Sequence, residues 1–240
     1  MHNSTTISSR NGYRLIAPLY DWVFGFTLQH GRRLAITALG ARRGDRILEV
    51  GVGSGMSLPI YPRGASVIGI DISTEMLGKA RRRIEEHDLN RVQVLNMDAG
   101  QMGFADDSFD KAVVMYAVSG FPNPAETMAE VQRVCKPGAT LVIANRFAST
   151  GPVARFFDIL LAPLFRLLGY RIDLDIDTFR QEANLDLLDR KPANLFGYST
   201  VLVCRSQRSP ESRPQQALES LDLEDADISV VYKTIANSRL

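Results

Sequence analysis

A glycine-rich turn directly after a strand-like run constrains the fold of this chain more than any other feature of its sequence. The run Arg46–Val50 leads into a turn with glycine at every second position, Gly51, Gly53 and Gly55. Glycine has no Cβ and adopts positive φ, so such a turn lets the backbone approach a ligand closely. The next strand-like run ends at Asp71. This order predicts a parallel α/β sheet with a ligand site at its carboxyl edge.

The segments that follow support this fold class, because strand-like and helical patterns alternate as far as Cys204. We predict a Rossmann-like α/β fold, with a mostly parallel sheet, an antiparallel last strand and helices on both faces. The predicted strands are Arg46–Val50, Ser66–Ile70, Val92–Asn96, Lys111–Met115, Thr140–Ala144 and Tyr198–Cys204, the last pairing antiparallel with residues around Leu195. The predicted helices are Thr74–His87 with Ser73 as N-cap, Pro124–Cys135 closed by Lys136-Pro137-Gly138, and Asp177–Leu188.

Three segments lie outside the alternating pattern and define the predicted domain organisation. We expect residues 1–40 to form an N-terminal helical lid and residues 41–206 to form the α/β domain. Within that domain, residues 148–176 are predicted to be an apolar lid insertion. After the domain, residues 207–240 are predicted to be a flexible tail rich in polar residues. The longest apolar stretch, Phe156–Leu168, is shorter than the roughly 20 residues that cross a bilayer.

Composition excludes several classes of function. Lys and Arg number 28 against 27 Asp and Glu, so the chain lacks the excess positive charge of a nucleic-acid binder. Two cysteines make neither a disulfide scaffold nor a zinc module, and the three histidines have no metal-ligand spacing. We therefore predict no nucleic-acid partner and no metal. No apolar leader is visible at the start of the chain, so a reducing cytoplasm is expected; no feature defines an oligomeric state.

The glycine turn also narrows the chemistry of its ligand. A dinucleotide fingerprint, G-x-G-x-x-G, would need glycine where Met56 stands. Glu49 precedes the turn, and a carboxylate there suits a cationic ligand end better than a pyrophosphate. S-adenosylmethionine has such an end in its α-amino group and sulfonium, and it carries no phosphate. We predict that it is the cofactor and that S-adenosylhomocysteine is the product.

Acidic residues at the ends of successive strands extend the predicted cofactor site. Asp71 is placed to accept hydrogen bonds from both ribose hydroxyls; the alternative is helix capping, a position that Ser73 already fills. Asp98 is placed to bind an adenine amino group. Met76 and Met97 either pack on the ring or belong to the core. The predicted cofactor residues are Glu49, Gly51, Gly53, Gly55, Asp71, Ile72, Met76, Asp98, Ala99 and Met115.

Residues 44–147 resemble class I S-adenosylmethionine-dependent methyltransferases. The likeness includes Gly44-Asp45, the glycine turn, Asp107-Ser108-Phe109-Asp110 and Cys135-Lys136-Pro137-Gly138. The resemblance implies cofactor contacts by the turn, Asp71 and Asp98. After the fourth strand the chain has Tyr116-Ala117-Val118, whereas methyltransferases of nucleobase or glutamine amides resemble Asn/Asp-Pro-Pro-Tyr/Phe there. An aliphatic amine, an activated carbon or a hydroxyl remains as acceptor.

The N-terminal run from Tyr13 to Gly25 resembles the Tyr-Asp helix that covers the cofactor in bacterial soluble phosphatidylethanolamine N-methyltransferases. It is similar, more loosely, to that of quinone C-methyltransferases. The likeness to the phospholipid enzymes continues through Gly31-Arg32 and Leu58-Pro59-x-Tyr61, but Arg146 stands where histidine is expected. The resemblance implies methylation of phosphatidylethanolamine and its mono- and dimethyl forms towards phosphatidylcholine.

A lipid acceptor would bring the protein to an anionic membrane surface as a peripheral protein on its cytoplasmic face. Two segments could contact such a surface through apolar side chains with basic flanks, residues 22–33 and residues 155–166. The apolar spacing of the first segment also suits a helix packed in the core.

Methyl transfer from a sulfonium is an in-line displacement, so the protein mainly aligns the reactants and excludes water. A protonated amine has no lone pair, and Tyr20, Asp21 and Tyr116 are the predicted catalytic residues that could take its proton. His30 is either a base or an exposed residue of the first helix. The predicted substrate-binding residues are Arg146 and Arg171 for the headgroup phosphate, and Tyr13 for the methylated cation.

Two alternatives to phospholipid methylation stay open at this stage. The first is a quinone-precursor or other small-molecule C- or O-methyltransferase, whose prenylated substrate would equally explain the apolar insertion. The second is a cofactor-binding module without catalytic activity, in which the lid serves as a surface for a partner.

Overall fold

The computed structural model describes residues 28–147, 175–193 and 199–207. These residues belong to the first of two compact units, which ends at Arg208. The helices are α1 (Gln29–Leu39), α2 (Thr74–Glu86), α3 (Pro124–Val134) and α4 (Ile176–Glu182), with 3₁₀ turns at Leu58–Ile60 and Val118–Gly120. The strands are β1 (Arg46–Val50), β2 (Ser66–Asp71), β3 (Val92–Asn96), β4 (Phe109–Met115), β5 (Cys135–Asn145), β6 (Leu185–Ala193) and β7 (Ser199–Ser206).

The seven strands form one sheet in the order β3-β2-β1-β4-β5-β7-β6. Strands β1 to β5 are parallel, and β7 runs antiparallel to both β5 and β6. The predicted fold class is therefore confirmed. The direction in which the chain adds strands reverses between β1 and β4, and ligands of open α/β sheets bind at such a switch point, outside the carboxyl ends of the strands.

The regular β-α units lie close to their predicted bounds, because local signals define their ends. Ser73 caps α2, and its hydroxyl accepts a hydrogen bond from the Met76 amide at 3.3 Å. Asn123 caps α3 in the same way, with proline at the first helical position. Helix α3 ends at Val134, so Cys135 and the Lys136-Pro137-Gly138 turn begin β5 instead of closing the helix.

The prediction of one long helix over Asp177–Leu188 is wrong. Helix α4 ends at Glu182, Asn184 takes a left-handed φ of 48°, and the chain continues as strand β6. Strand β6 pairs with β7 along its length, and this pairing outweighs the local helical pattern. Pro192 is accommodated because β6 is an edge strand. Strand β7 thus pairs with β5 and β6, and Leu195 lies outside the described residues.

Helix α1 is the described part of the predicted N-terminal lid. Its Ala35, Ile36 and Leu39 are buried with the side chains of one face of the sheet. Residues 1–27, 148–174 and 208–240 lie outside the described residues, so the remainder of the lid, the apolar insertion and the flexible tail stay predictions. None of the described helices combines the length and apolar character needed to span a membrane.

Candidate active site

The glycine turn lies at the carboxyl end of β1, and all three of its glycines have positive φ, between 54° and 73°. A Cβ on Gly51 would overlap the Ala117 side chain, and one on Gly55 would lie 2.7 Å from Leu58 Cδ1 and 3.0 Å from Ala80 Cβ. A Cβ on Gly53 would meet nothing within 4 Å. Packing within the protein therefore requires Gly51 and Gly55, whereas the space over Gly53 is open to a ligand.

Asp71 ties this turn to the end of β2. Its Oδ2 accepts a hydrogen bond from the Gly53 amide and its Oδ1 accepts one from the Ser73 amide, both at 2.8 Å. Each oxygen of an ionised carboxylate can accept a second hydrogen bond. The half-buried carboxylate of Asp71 can thus hold the turn and still accept hydrogen bonds from ligand hydroxyls.

An apolar side chain lies exposed beside Asp71. Ile72 is 65% exposed, the highest exposure of a large hydrophobic residue in the described ranges. Asn96 holds this corner from β3, because its Nδ2 donates to the carbonyl oxygens of Asp71 at 3.1 Å and of Ile72 at 2.9 Å. This role of Asn96 was not predicted, although the sequence places Asn96 at the end of β3. A planar aromatic ring stacked here would cover Ile72.

The other predicted cofactor residues divide into an exposed group and a buried group. Asp98 is exposed, and its Oδ1 accepts a hydrogen bond from the Gly100 amide at 2.8 Å; Ala99 beside it is half-buried. Met76 and Met115 are only 6% and 7% exposed. Burial of this extent favours the core alternative for Met76, and it places Met115 in the core beneath α1.

Glu49 lies beneath the glycine turn, with 2% of its surface exposed. Its Oε1 accepts a hydrogen bond from Ser57 Oγ at 2.5 Å, and its Oε2 accepts one from the Tyr61 hydroxyl at 2.8 Å. Burial raises the pKa of Glu49 from 4.5 to about 7, against the opposing effects of the two hydroxyls and of Arg32. These two hydrogen bonds to Glu49, called the clamp below, were not predicted from the sequence. Near neutral pH this carboxyl group is poised between its neutral and charged forms.

Tyr116 follows β4 and adopts a φ of 59°, which is uncommon for a bulky residue. Its amide donates a hydrogen bond to the Ala144 carbonyl at 2.6 Å, so the pairing of β4 with β5 holds it in place. Backbone strain of this kind concentrates at functional sites. Arg146 follows β5, and Asn145 Nδ2 donates to its carbonyl at 3.0 Å. Tyr116 and Arg146 thus follow neighbouring parallel strands at the edge that carries the glycine turn.

Arg32 is a further residue of this edge. Its guanidinium lies 5.6 Å from the centroid of the Tyr116 ring, and its charge lowers the pKa of Glu49. Arg32 and Leu28 were expected on the first membrane-facing segment, but Leu28 is buried, with 8% of its surface exposed. The spacing of Arg32 from Leu28 and Ile36, four residues each way, marks the inward face of α1 and could have revealed its position.

The remaining predicted site residues are Tyr13, Tyr20, Asp21 and Arg171, and all four lie outside the described residues. His30 is exposed on α1. Within residues 28–147, 175–193 and 199–207, no group of three His, Cys, Asp or Glu side chains is placed to hold a metal ion.

These features fit a ligand with vicinal hydroxyls, an aromatic ring and a cationic end. Asp71 can accept from the hydroxyls, Ile72 offers an apolar surface to a ring, and Asp98 can accept from an amino group of that ring. The space over Gly53 is open, and Arg32 joins Glu49 to Tyr116 at the same edge of the sheet. The donor set therefore suits S-adenosylmethionine, whose two ends are an adenosine and an amino acid.

Comparison with known proteins agrees with this chemistry. A family model described as a methyltransferase domain matches residues 48–143. A phosphatidylethanolamine N-methyltransferase of Cereibacter sphaeroides is 39% identical over 186 residues, 77% of this chain and 91% of that enzyme. A demethylmenaquinone methyltransferase of Renibacterium salmoninarum is 36% identical over 136 residues, 54% of this chain and 55% of that enzyme. The structure of a methyltransferase from Aquifex aeolicus, described as dependent on S-adenosylmethionine, shares the fold with a TM-score of 0.56 at 18% identity, covering 74% of this chain and 90% of that one.

Proposed function

We propose that this chain, which belongs to the family of S-adenosylmethionine-dependent methyltransferases, transfers methyl groups to the amine of phosphatidylethanolamine and of its mono- and dimethyl forms, towards phosphatidylcholine. The observation that carries this proposal is the 39% identity to the Cereibacter sphaeroides enzyme, spread over 91% of that enzyme. Membership of a family of enzymes argues against the alternative of a module without catalytic activity.

The proposed cofactor contacts divide between the two ends of the ligand. Asp71 accepts from the ribose hydroxyls, Asp98 accepts from the adenine amino group, and Ile72 and Ala99 flank the ring. At the other end Glu49 neutralises the α-amino group, and Arg32, the cation beside Glu49, pairs with the carboxylate. Gly51, Gly53 and Gly55 keep side chains out of the space between these ends.

The acceptor would lie over the ends of β4 and β5. We assign the headgroup phosphate to Arg146 and to Arg171, which lies outside the described residues. The Tyr116 ring is placed to face the methylated cation; Tyr13, Tyr20 and Asp21, also outside those residues, would complete this side. The cofactor sulfonium supplies the methyl group and leaves as S-adenosylhomocysteine.

Proton transfer must precede the methyl transfer, because the attacking nitrogen needs a lone pair. The N–H bond of the ammonium breaks and its proton passes to water or to Tyr20, Asp21 or Tyr116. Asp71, Asp98 and Glu49 would hold the methyl donor facing this nitrogen, whose lone pair would accept the methyl group that the sulfonium supplies. The role of the protein is to align the two reactants and to keep water away.

Because the substrate sits in a bilayer, we further propose peripheral association with the cytoplasmic face of an anionic membrane. The candidate contacts are the apolar segment 22–27 and the apolar and basic segment 155–166, both outside the described residues. Leu28 is excluded from this surface because its side chain is buried.

The test uses the purified full-length protein with methyl-labelled S-adenosylmethionine and three acceptors. These are liposomes of phosphatidylethanolamine with phosphatidylglycerol, liposomes without phosphatidylethanolamine, and detergent-dispersed quinone precursors. We expect label in mono-, di- and trimethylated lipid with the first acceptor alone. Labelled quinone instead would favour the C-methyltransferase alternative, which rests on the demethylmenaquinone relative, and would refute the lipid assignment.

Variants locate the acceptor subsite. Arg146→Ala should raise the KM for phosphatidylethanolamine liposomes, Tyr116→Ala should lower kcat, and neither should change the affinity for S-adenosylhomocysteine by more than a few-fold. Lys191→Ala, in edge strand β6 where Lys191 pairs with Asp189, is the matched control. Unchanged lipid methylation in both site variants would contradict the assignment of Tyr116 and Arg146.

A further inference from the structure

A groove lies between α1 and α2 on one face of the sheet. The crossover from β1 to β2 contains only the 3₁₀ turn Leu58–Ile60 where such crossovers usually carry a helix. The space that a longer helix would fill is a groove of about 630 Å³. This volume lies within the range of small-molecule binding sites, roughly 300–1,000 Å³.

The lining of the groove combines cationic and apolar side chains. Helix α1 contributes Arg33 between Gln29 and Thr37, at a spacing of four residues along one helix face. Helix α2 contributes Arg83, and His87, the C-cap residue that follows this helix, lies four residues further on. Met56, Pro59 and Ile60 form the apolar part of the lining, which is called the floor below. Among the described residues that line this groove there is no Asp or Glu.

The groove is separate from the proposed cofactor and acceptor residues but adjoins the glycine turn. Met56 directly follows Gly55, and Arg83 Nη1 donates a hydrogen bond to the Ser54 carbonyl. A guanidinium has five N–H donors, so Arg83 retains donors beyond this bond. Arg33 and His87 are exposed and present their donors to solvent.

We propose that this groove binds a phosphate-headed amphiphile, with the phosphate held by Arg33, Arg83 and His87 and the alkyl chain on the floor. Two guanidinium groups beside an imidazole complement a phosphate, because charge-assisted hydrogen bonds from arginine to phosphate are short and strong. The apolar floor gives an alkyl chain a surface to cover, which a free phosphate would leave wet. The natural occupant is then the phosphate of an anionic phospholipid, bound at a site other than the acceptor site.

The test measures binding of dodecyl phosphate, below its micellar concentration, to the full-length protein by titration calorimetry. Inorganic phosphate and dodecyl maltoside are the two comparison ligands, one without the chain and one without the charge. We expect saturable binding of dodecyl phosphate and binding of the other two weaker by roughly tenfold or more. Equal binding of inorganic phosphate would reduce the groove to a simple anion site, and equal binding of dodecyl maltoside would reduce it to an apolar surface; either result would overturn the proposal.

Variants place the binding within the groove. Arg33→Ala and His87→Ala change exposed side chains and should each weaken dodecyl phosphate binding several-fold, with a larger loss in the double variant. Arg81→Ala removes an exposed arginine of α2 that does not line the groove, and should leave the affinity unchanged. A loss in Arg81→Ala equal to that in Arg33→Ala would indicate diffuse electrostatic attraction and refute the site.

Arg146→Ala separates this proposal from the proposed function. We expect it to leave dodecyl phosphate binding unchanged, since Arg146 follows β5 and does not line the groove. Loss of binding in this variant would transfer the amphiphile to the acceptor site and overturn the inference. Because the measurement needs no methyl transfer, its outcome does not depend on which acceptor the enzyme uses.

Discussion

Replacing Glu49 with glutamine should stabilise the unliganded protein above neutral pH while weakening cofactor binding. Burial raises the pKa of Glu49 from 4.5 to about 7. This difference of about 2.5 pKa units, at 1.36 kcal/mol each, corresponds to about 3 kcal/mol. The pKa of Glu49 is higher in the folded state than in the unfolded state. The contribution of its protonation to the free energy of unfolding is therefore fully present below pH 4.5 and is lost as the pH rises to about 7.

Glutamine keeps the shape of Glu49 and cannot ionise, so the variant should lose this pH dependence. Its carbonyl can accept from one of the two hydroxyls, and the other hydroxyl can turn to accept from the amide NH₂. At pH 8 we therefore expect Glu49→Gln to exceed the wild type by up to about 3 kcal/mol in free energy of unfolding. At pH 5 the two proteins should differ little.

Cofactor binding should show the opposite preference, because a cationic amine needs the ionised form of Glu49. Below pH 7 the carboxyl group must lose a proton on binding, so the affinity should fall by up to roughly tenfold per pH unit. The amine of the ligand titrates near pH 8, outside this window. In Glu49→Gln the affinity should be weak at every pH between 5.5 and 7.

Urea unfolding at pH 5 and pH 8, with calorimetric titration of S-adenosylhomocysteine between pH 5.5 and 7, measures both effects. Glu86→Gln, which changes an exposed carboxylate of α2, is the control and should alter neither. A wild-type affinity independent of pH would show that Glu49 does not meet the amine. A variant less stable than the wild type at pH 8 would refute the assignment of a desolvation cost to this residue.

Three further predictions concern the glycine turn, Asp71, and the hydrogen bonds that Arg133 of α3 makes to Glu130, Asp106 and two backbone carbonyls. Gly53→Ala should lower the free energy of unfolding by about 1–2 kcal/mol, because alanine is strained at a positive φ, and should abolish binding of S-adenosylhomocysteine in calorimetry. Gly55→Ala should unfold at a markedly lower urea concentration, because its Cβ would also meet Leu58 and Ala80. Asp71→Asn should weaken binding of the same ligand roughly tenfold or more, and should also lower the free energy of unfolding by about 1–3 kcal/mol, because the NH2 group of asparagine cannot accept from the Gly53 or Ser73 amide. An unaltered Kd would remove Asp71 from the ribose site. Arg133→Lys should lower the free energy of unfolding by about 2 kcal/mol, because lysine cannot bond Glu130, Asp106 and two backbone carbonyls together; an unchanged urea midpoint would contradict this.

The local structure of the chain could be predicted wherever it depends on a short run of consecutive residues. Strand β1, its glycine turn and the Ser73 cap of α2 each depend on a few adjacent residues, and the structure has them where the spacing placed them. The class of cofactor followed from the same local pattern, since Glu49 and Met56 disfavour a dinucleotide. Fold class and cofactor were therefore determined by the sequence itself.

Features that depend on distant residues appeared only in the tertiary structure. Strand β6 exists because β7 pairs with it, although its first residues, Leu185–Leu188, continue the helical pattern of the preceding segment. The clamp on Glu49 brings Ser57 and Tyr61, from the chain after the glycine turn, onto a carboxyl group whose burial raises its pKa. The meeting of Arg32 with Tyr116 joins residues 84 positions apart, and the groove between α1 and α2 is the space left by a short crossover. Spacing along one helix can indicate which side chains face inward, as it does for Arg32, but it does not show which partner they meet, because burial and desolvation are set by which segments pack together.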